Sequence, residues 1–269
     1  MTPAADALAD FERTQFTAEG KARDVYRIGS GPAVIVISEM PGITPGVADF
    51  GRTVAREGFT AVLPHLFGDP GRAVSPAYVL QSISWVCISR EFSTMARRRT
   101  SPVTSWLRAL AGAVHSELGG PGVGVVGMCF TGGFALAMMV DETVMAPVLS
   151  QPSLPFALTR AHRRDLGISD DDLARVKERA PEVCLLALRF TGDRLVPGER
   201  FQRLRDELGD GVVTVEIDSG PGNPWGIKRS AHSVLTEELV ADDPDHPTRH
   251  ALDQVLDLFR TRLRPAPGA

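Results

Sequence analysis

The chain has 269 residues, 43% hydrophobic and 23% charged, with a formal net charge of −4. That size and balance suit a globular chain with ample core, arranged as one large domain or two small ones. The mild acidity argues against a nucleic-acid or anionic-membrane surface, so Arg97-Arg98-Arg99 reads as a solvated helix end rather than a phosphate patch.

In chain order, Gln15 to Ile28 reads as two short strands around Gly20. Ala33–Ser38 is a continuous β-rich run, expected to be buried on both faces. Val47, Phe50 and Val54 fall at helical spacing, and Gly58 closes that helix. Phe59–Leu63 is another buried strand. Ser101 and Pro102 make a cap-and-first-turn start for a helix with the face Val103, Leu107, Leu110 and Val114. Strands follow at Val123–Val126, Val144–Leu149, Val183–Phe190 and Val212–Ile217. The last helix presents Leu252, Val255, Leu256, Phe259 and Leu263. Strand and helix alternating in this way predict an α/β fold, a mostly parallel sheet covered on both faces. Two stretches break the rhythm. Gln151–Ala180, with Pro152, Pro155 and the cluster Arg160, Arg163, Arg164, reads as a small cap insertion in a single domain. Ser219–Arg229 is rich in Gly and Pro. Both follow strands, and so are expected over the C-terminal edge of the sheet, where open α/β sheets bind ligands.

Three cysteines, Cys87, Cys129 and Cys184, cannot all pair, which fits a reducing compartment. Thr2 to Arg13 lacks a basic-then-apolar leader pattern and no apolar run is long enough to span a bilayer, so a cytoplasmic protein is expected.

Chemistry concentrates at Gly127-Met128-Cys129-Phe130-Thr131-Gly132-Gly133. A buried strand running into a glycine-flanked Cys and then into Ala135-Leu136-Ala137-Met138-Met139 reads as a nucleophile elbow. The sharp turn lifts one side chain clear of the sheet, and the helix start behind it favours a thiolate. The competing reading is a buried structural Cys. A thiol nucleophile needs a base, and the base needs a group to fix its tautomer. The run Val183–Phe190 ends at Thr191-Gly192-Asp193, so Asp193 stands where an orienting carboxylate belongs, unless it only caps a turn. Among six histidines, His232 in Ser230-Ala231-His232-Ser233 alone follows the last strand and precedes the final helix.

With those residues in place, the chain resembles the dienelactone hydrolase family of the α/β-hydrolase superfamily over approximately residues 30–265. The resemblance rests on Gly127-x-Cys129 with Gly132-Gly133, Thr191-Gly192-Asp193 with Val196-Pro197, and Ala231-His232-Ser233. It implies an α/β-hydrolase fold with Cys129, Asp193 and His232 as the triad. The oxyanion hole would use the backbone N–H groups of Met40 and Phe130. Glu39 matches the family's glutamate that contacts the resting thiol and yields it to histidine. Two positions depart from the family pattern. Thr131 replaces a glycine at the elbow. Thr236, followed by Glu237 and Glu238, stands where an arginine grips the substrate carboxylate, so the family's dienelactone is a doubtful substrate here. Arg90 is the candidate stand-in for the family's other carboxylate-binding arginine, and the cluster at Arg160, Arg163 and Arg164 could supply charge if it folds over the site.

The expectation is a hydrolase cleaving a lactone or activated ester through a cysteine acyl-enzyme, with no metal or organic cofactor. Its partner would be the small-molecule substrate, not a nucleic acid or a membrane, and the oligomeric state stays open. The alternatives are an acyltransferase or thioesterase using the same three residues, or a non-catalytic ligand-binding relative.

Overall fold

Eight strands lie at the centre of the described structure, a computed structural model covering residues 6–88 and 101–264, side chains at 6 and 83–88 excepted. The first two form a hairpin: β1 (Glu12–Ala18) and β2 (Lys21–Gly29) pair antiparallel around Gly20. Then come β3 (Ala33–Ile37), β4 (Thr60–Pro64), β5 (Val123–Met128), β6 (Val144–Ser150), β7 (Leu185–Phe190) and β8 (Val212–Ile217). The order across the sheet is β1-β2-β4-β3-β5-β6-β7-β8. Only β1–β2 and β2–β4 are antiparallel.

The sequence explains which side each residue takes. In β3, Ile35 and Ile37 face one layer while Val34 and Val36 face the other, the period-two alternation of a strand. Helices α1 (Pro45–Arg56) and α8 (Pro247–Leu263) cover the second face through Val47, Phe50 and Val54, and Leu252, Val255, Leu256 and Phe259. Helices α3 (Pro102–Leu118), α4 (Gly132–Met138), α6 (Asp170–Val183) and α7 (Gly198–Leu208) cover the first. Each fully buried aliphatic side chain contributes about 1.5–3 kcal/mol, and both layers supply many. Caps define where helices begin: Thr44 Oγ1 accepts from Val47 N–H at 3.3 Å, and Ser101 Oγ from Thr104 N–H at 3.1 Å.

Three details differ from the sequence reading. α2 (Pro76–Ile88) was not anticipated. Strand β7 starts at Leu185, not Val183, because Val183 shares a buried helical face with Leu173, Val176 and Ala180, and Cys184 N–H still closes the helix on Ala180 O at 2.9 Å. The segment Gln151–Ala180 is irregular only in its first part. The helix capped at Ser169 is α6, a regular crossover helix packed on the sheet; the irregular stretch, with the short α5 (Arg160–Arg164), ends there. Arg90 and Arg97–Arg99 lie outside the described residues. Among the described residues, no helix is long and apolar enough to cross a membrane.

Candidate active site

The chain leaves β3 for β4 on one side and later returns to β5 on β3's other side. Strand order therefore reverses between β3 and β5, and the gap above their C-terminal ends is where an α/β sheet holds ligands. Glu39 and Met40 follow β3 there; Cys129 follows β5.

Cys129 adopts φ +52°, a left-handed conformation that a non-glycine residue enters only when its surroundings impose it. The imposing contacts are visible. A Cβ on Gly127 would come within 2.5 Å of Thr131 O, so only glycine lets the strand double back this tightly. Thr131, which replaces the family's glycine, is fully buried, and its Oγ1 replaces lost space with hydrogen bonds. It accepts from Met128 N–H at 3.0 Å and lies 2.9 Å from both Ile37 O and Met128 O, to one of which it donates. The elbow is thereby tied to the end of β3.

Asp193 and His232 meet from the ends of β7 and β8, with Asp193 Oδ2 2.6 Å from His232 Nδ1. Asp193 Oδ1 accepts from Leu195 N–H at 2.9 Å, so the carboxylate is oriented before it engages the ring. Arg189, which interrupts the apolar pattern of β7, is buried and donates to Thr191 O at 3.1 Å and to Val196 O; its charge is paired with Glu216 at 2.9 Å. It clamps the Asp193 loop from both sides, a role that a lone charge in an apolar strand could have signalled. Burial works to lower the His232 pKa. The hydrogen bond to Asp193 and the interaction with Cys129 outweigh it and raise the value to about 11. Nε2 is buried and makes no hydrogen bond among the described residues.

Cys129, His232, Met40, Phe130 and Glu39 border one cavity of about 260 Å³. The thiol lies 3.4 Å from Ser153 Oγ. Glu39, 3% exposed, has its oxygens engaged elsewhere: Oε2 accepts from Gln151 Nε2 at 3.0 Å and Ser233 Oγ at 2.6 Å, and Oε1 accepts from Thr236 Oγ1. Glu39 thus grips the loop of His232, while Ser153 is the hydrogen-bonding neighbour of the thiol. Val74, Phe156 and Leu195, all more than two-fifths exposed, line the same cavity. Glu237 completes it, with a carboxyl pKa pushed up by partial burial and by the nearby Glu39 and Glu238. The cluster on α5 does not reach this site through Arg163 or Arg164, which pair with Glu199 and Asp206 on α7 at 2.7 and 2.9 Å. Sequence reasoning missed Ser153, Gln151, Phe156 and Leu195, since nothing in their local pattern marks them. A larger cavity, about 480 Å³, between the β1–β2 hairpin and α2 contains none of the candidate catalytic side chains.

The comparisons with known proteins agree with this architecture. The model of the dienelactone hydrolase family matches residues 23–263. No curated protein matches the sequence. Among solved structures, a dienelactone hydrolase-like promiscuous phosphotriesterase from metagenomic libraries superposes with a TM-score of 0.62 at 17% identity, covering 94% of this chain and 98% of that one. A dienelactone hydrolase from Anabaena variabilis ATCC 29413 gives 0.60 at 15% identity, over 95% and 100%. A cold-adapted esterase from an Arctic intertidal metagenomic library gives 0.55 at 15% identity, over 95% of each chain. With an eight-stranded sheet of this order and a family match across nearly its whole length, the chain belongs to the dienelactone hydrolase family and is an ester hydrolase of the α/β-hydrolase fold.

Proposed function

We propose that the protein cleaves lactones or activated carboxylic esters through an acyl-thioester on Cys129. His232 Nε2 holds the proton given up by Cys129, and the Cys129 thiolate attacks the substrate carbonyl carbon through Sγ. The resulting oxyanion is received by the backbone N–H groups of Met40 and Phe130, which border the same cavity. As the C–O bond breaks, His232 gives its proton to the departing oxygen. His232 then takes a proton from water, the hydroxide attacks the thioester carbonyl, and the tetrahedral intermediate collapses to the carboxylic acid and the Cys129 thiolate, the proton taken from water staying on His232 as that thiolate's partner. Asp193 holds the ring so that Nε2 faces the reaction.

The observation that carries this reading is the meeting of a strained strand-end cysteine with an Asp-paired histidine in one cavity. A thiolate leaves as readily as it attacks, which suits reactive esters and enol lactones better than amides. The exposed rim of Val74, Phe156 and Leu195 favours an apolar acyl portion. Steady-state hydrolysis of 4-nitrophenyl acetate and butyrate tests the assignment. Cys129→Ala and His232→Ala should each lose nearly all turnover, on the order of 10³-fold or more. A folded His232→Ala protein with near-normal kcat would overturn it.

A further inference from the structure

Ser153 lies just beyond the end of β6, and its Oγ is 3.4 Å from Cys129 Sγ. The side chain is 2% exposed, and Sγ is the one hydrogen-bonding neighbour of its hydroxyl among the described residues. The backbone is held as closely. Ser153 N–H donates to Cys129 O at 3.0 Å. The residue before it packs on the helix start behind the nucleophile, where a Cβ on Gly132 would stand 2.6 Å from Pro152 Cβ. From the far side the buried Arg200 of α7 donates to Pro152 O at 2.7 Å, to Asp165 O at 2.8 Å and to Pro155 O. The loop is thus seated with its serine against the sulfur.

The charges around the thiol come from other elements. His232 and Glu237 approach after β8 and Glu39 after β3, and all three border the cavity with Cys129. Asp193, after β7, stands behind the imidazole at Nδ1. Glu39 takes its hydrogen bonds from Gln151, Ser233 and Thr236. From the β6 side the sulfur meets a neutral hydroxyl.

A buried hydroxyl keeps a hydrogen-bond partner, and the charge on sulfur decides which atom donates. With the proton on His232, Sγ is an anion with no hydrogen to give, so Ser153 donates. A hydrogen bond to an ionised acceptor is roughly twice as strong as one to a neutral acceptor, and sulfur in a thioester carries no charge. The bond is therefore strong before attack, weak in the acyl-enzyme and strong again once the thiolate is expelled. When the tetrahedral intermediate collapses, the C–S bond breaks, its electron pair moves to Sγ and the carbonyl re-forms. Ser153 keeps its proton throughout and points it at the growing charge. We infer that Ser153 is a further catalytic residue, whose hydroxyl donates to Cys129 Sγ, holds the thiolate at rest and speeds its expulsion from the acyl-enzyme. This rests on the acyl-thioester reading above.

Ser153→Ala removes the hydroxyl and keeps a small side chain. Alkylation of Cys129 by iodoacetamide, followed against pH by peptide mass spectrometry, reads the contact without turnover. The acid limb of the rate should move up by about one pH unit in Ser153→Ala, while the plateau at higher pH stays at or above the wild-type rate. A limb that moves to lower pH would mean that the thiol donates to Ser153. Equal slowing at every pH would make Ser153 a packing residue. Either result, or superimposable profiles, overturns the inference. Rapid-quench mass spectrometry with 4-nitrophenyl butyrate at the plateau pH then reads expulsion. Decay of the butyryl group on Cys129 should slow by about 10-fold in Ser153→Ala, and its formation should change much less. Decay at the wild-type rate would overturn the catalytic role. If Cys129→Ala keeps wild-type turnover, the acyl-thioester reading has failed on its own, and the alkylation profile still decides whether Ser153 holds a thiolate.

Discussion

At His232 burial and charge oppose each other, and charge prevails. Desolvation disfavours the imidazolium, while Asp193 and Cys129 favour it enough to raise the pKa to about 11. A raised pKa means the ring keeps its proton through neutral pH and loses it only as pH climbs toward that value. Under the proposed mechanism, the general acid for the leaving oxygen is then in its working form across the neutral range, and the alkaline limb of kcat/KM should fall well above neutrality. Asp193→Asn removes the charge that sustains the proton and lets the amide N–H face Nδ1, which inverts the tautomer. Its alkaline limb should move to lower pH, with kcat reduced on the order of 10³-fold. Profiles of the same shape in both proteins would contradict this account of the pair. The meeting of Asp193 with His232 was readable because Asp193 closely follows β7 and His232 lies between the last strand and the last helix. The partners of Glu39 were not, since its bond to Ser233 joins residues 194 positions apart and no local spacing encodes it. The resemblance points Glu39 at the thiol; its hydrogen bonds run to Gln151, Ser233 and Thr236, and the thiol's to Ser153.

The turn after β5 shows how one element stores the geometry of the site. Cys129 stays at φ +52° because the elbow is closed by Gly127 and by the Thr131 hydroxyl, both fixed to the end of β3 or to the turn itself. Thr131→Val keeps the shape and removes the hydroxyl, leaving Met128 N–H unpaired in a fully buried place. It should destabilise the fold by about 1–3 kcal/mol in chemical denaturation and lower kcat as the turn relaxes. An unchanged denaturation midpoint would show that the hydroxyl does not hold the turn. Strands such as Ala33–Ile37 and Val123–Met128 were legible as unbroken apolar runs, which only a doubly covered sheet tolerates. The start of β7 was not. Val183 and Cys184 continue the apolar run in sequence, but a helix carrying Pro181 in its last turn extends through Val183, and its packing on the sheet overrides the local pattern.

Across the whole molecule, the site is a product of strand order. Side chains from the ends of β3, β5, β6, β7 and β8 converge above the point where that order reverses. Alternation of strands and helices makes such a sheet legible, whereas the order itself depends on which apolar faces pack together, and no single segment states that. The convergence places carboxylates and an apolar rim around the cavity that Cys129 borders. It also commits the account to one covalent species, an acyl group on Cys129. Intact-protein and peptide mass spectrometry after acid quench during turnover of 4-nitrophenyl butyrate reads that species directly. The wild type should carry one butyryl group on the peptide containing Cys129, and Cys129→Ala should carry none. Full turnover with no adduct in Cys129→Ala, or a butyryl group on another residue of the wild type, would contradict the central claim.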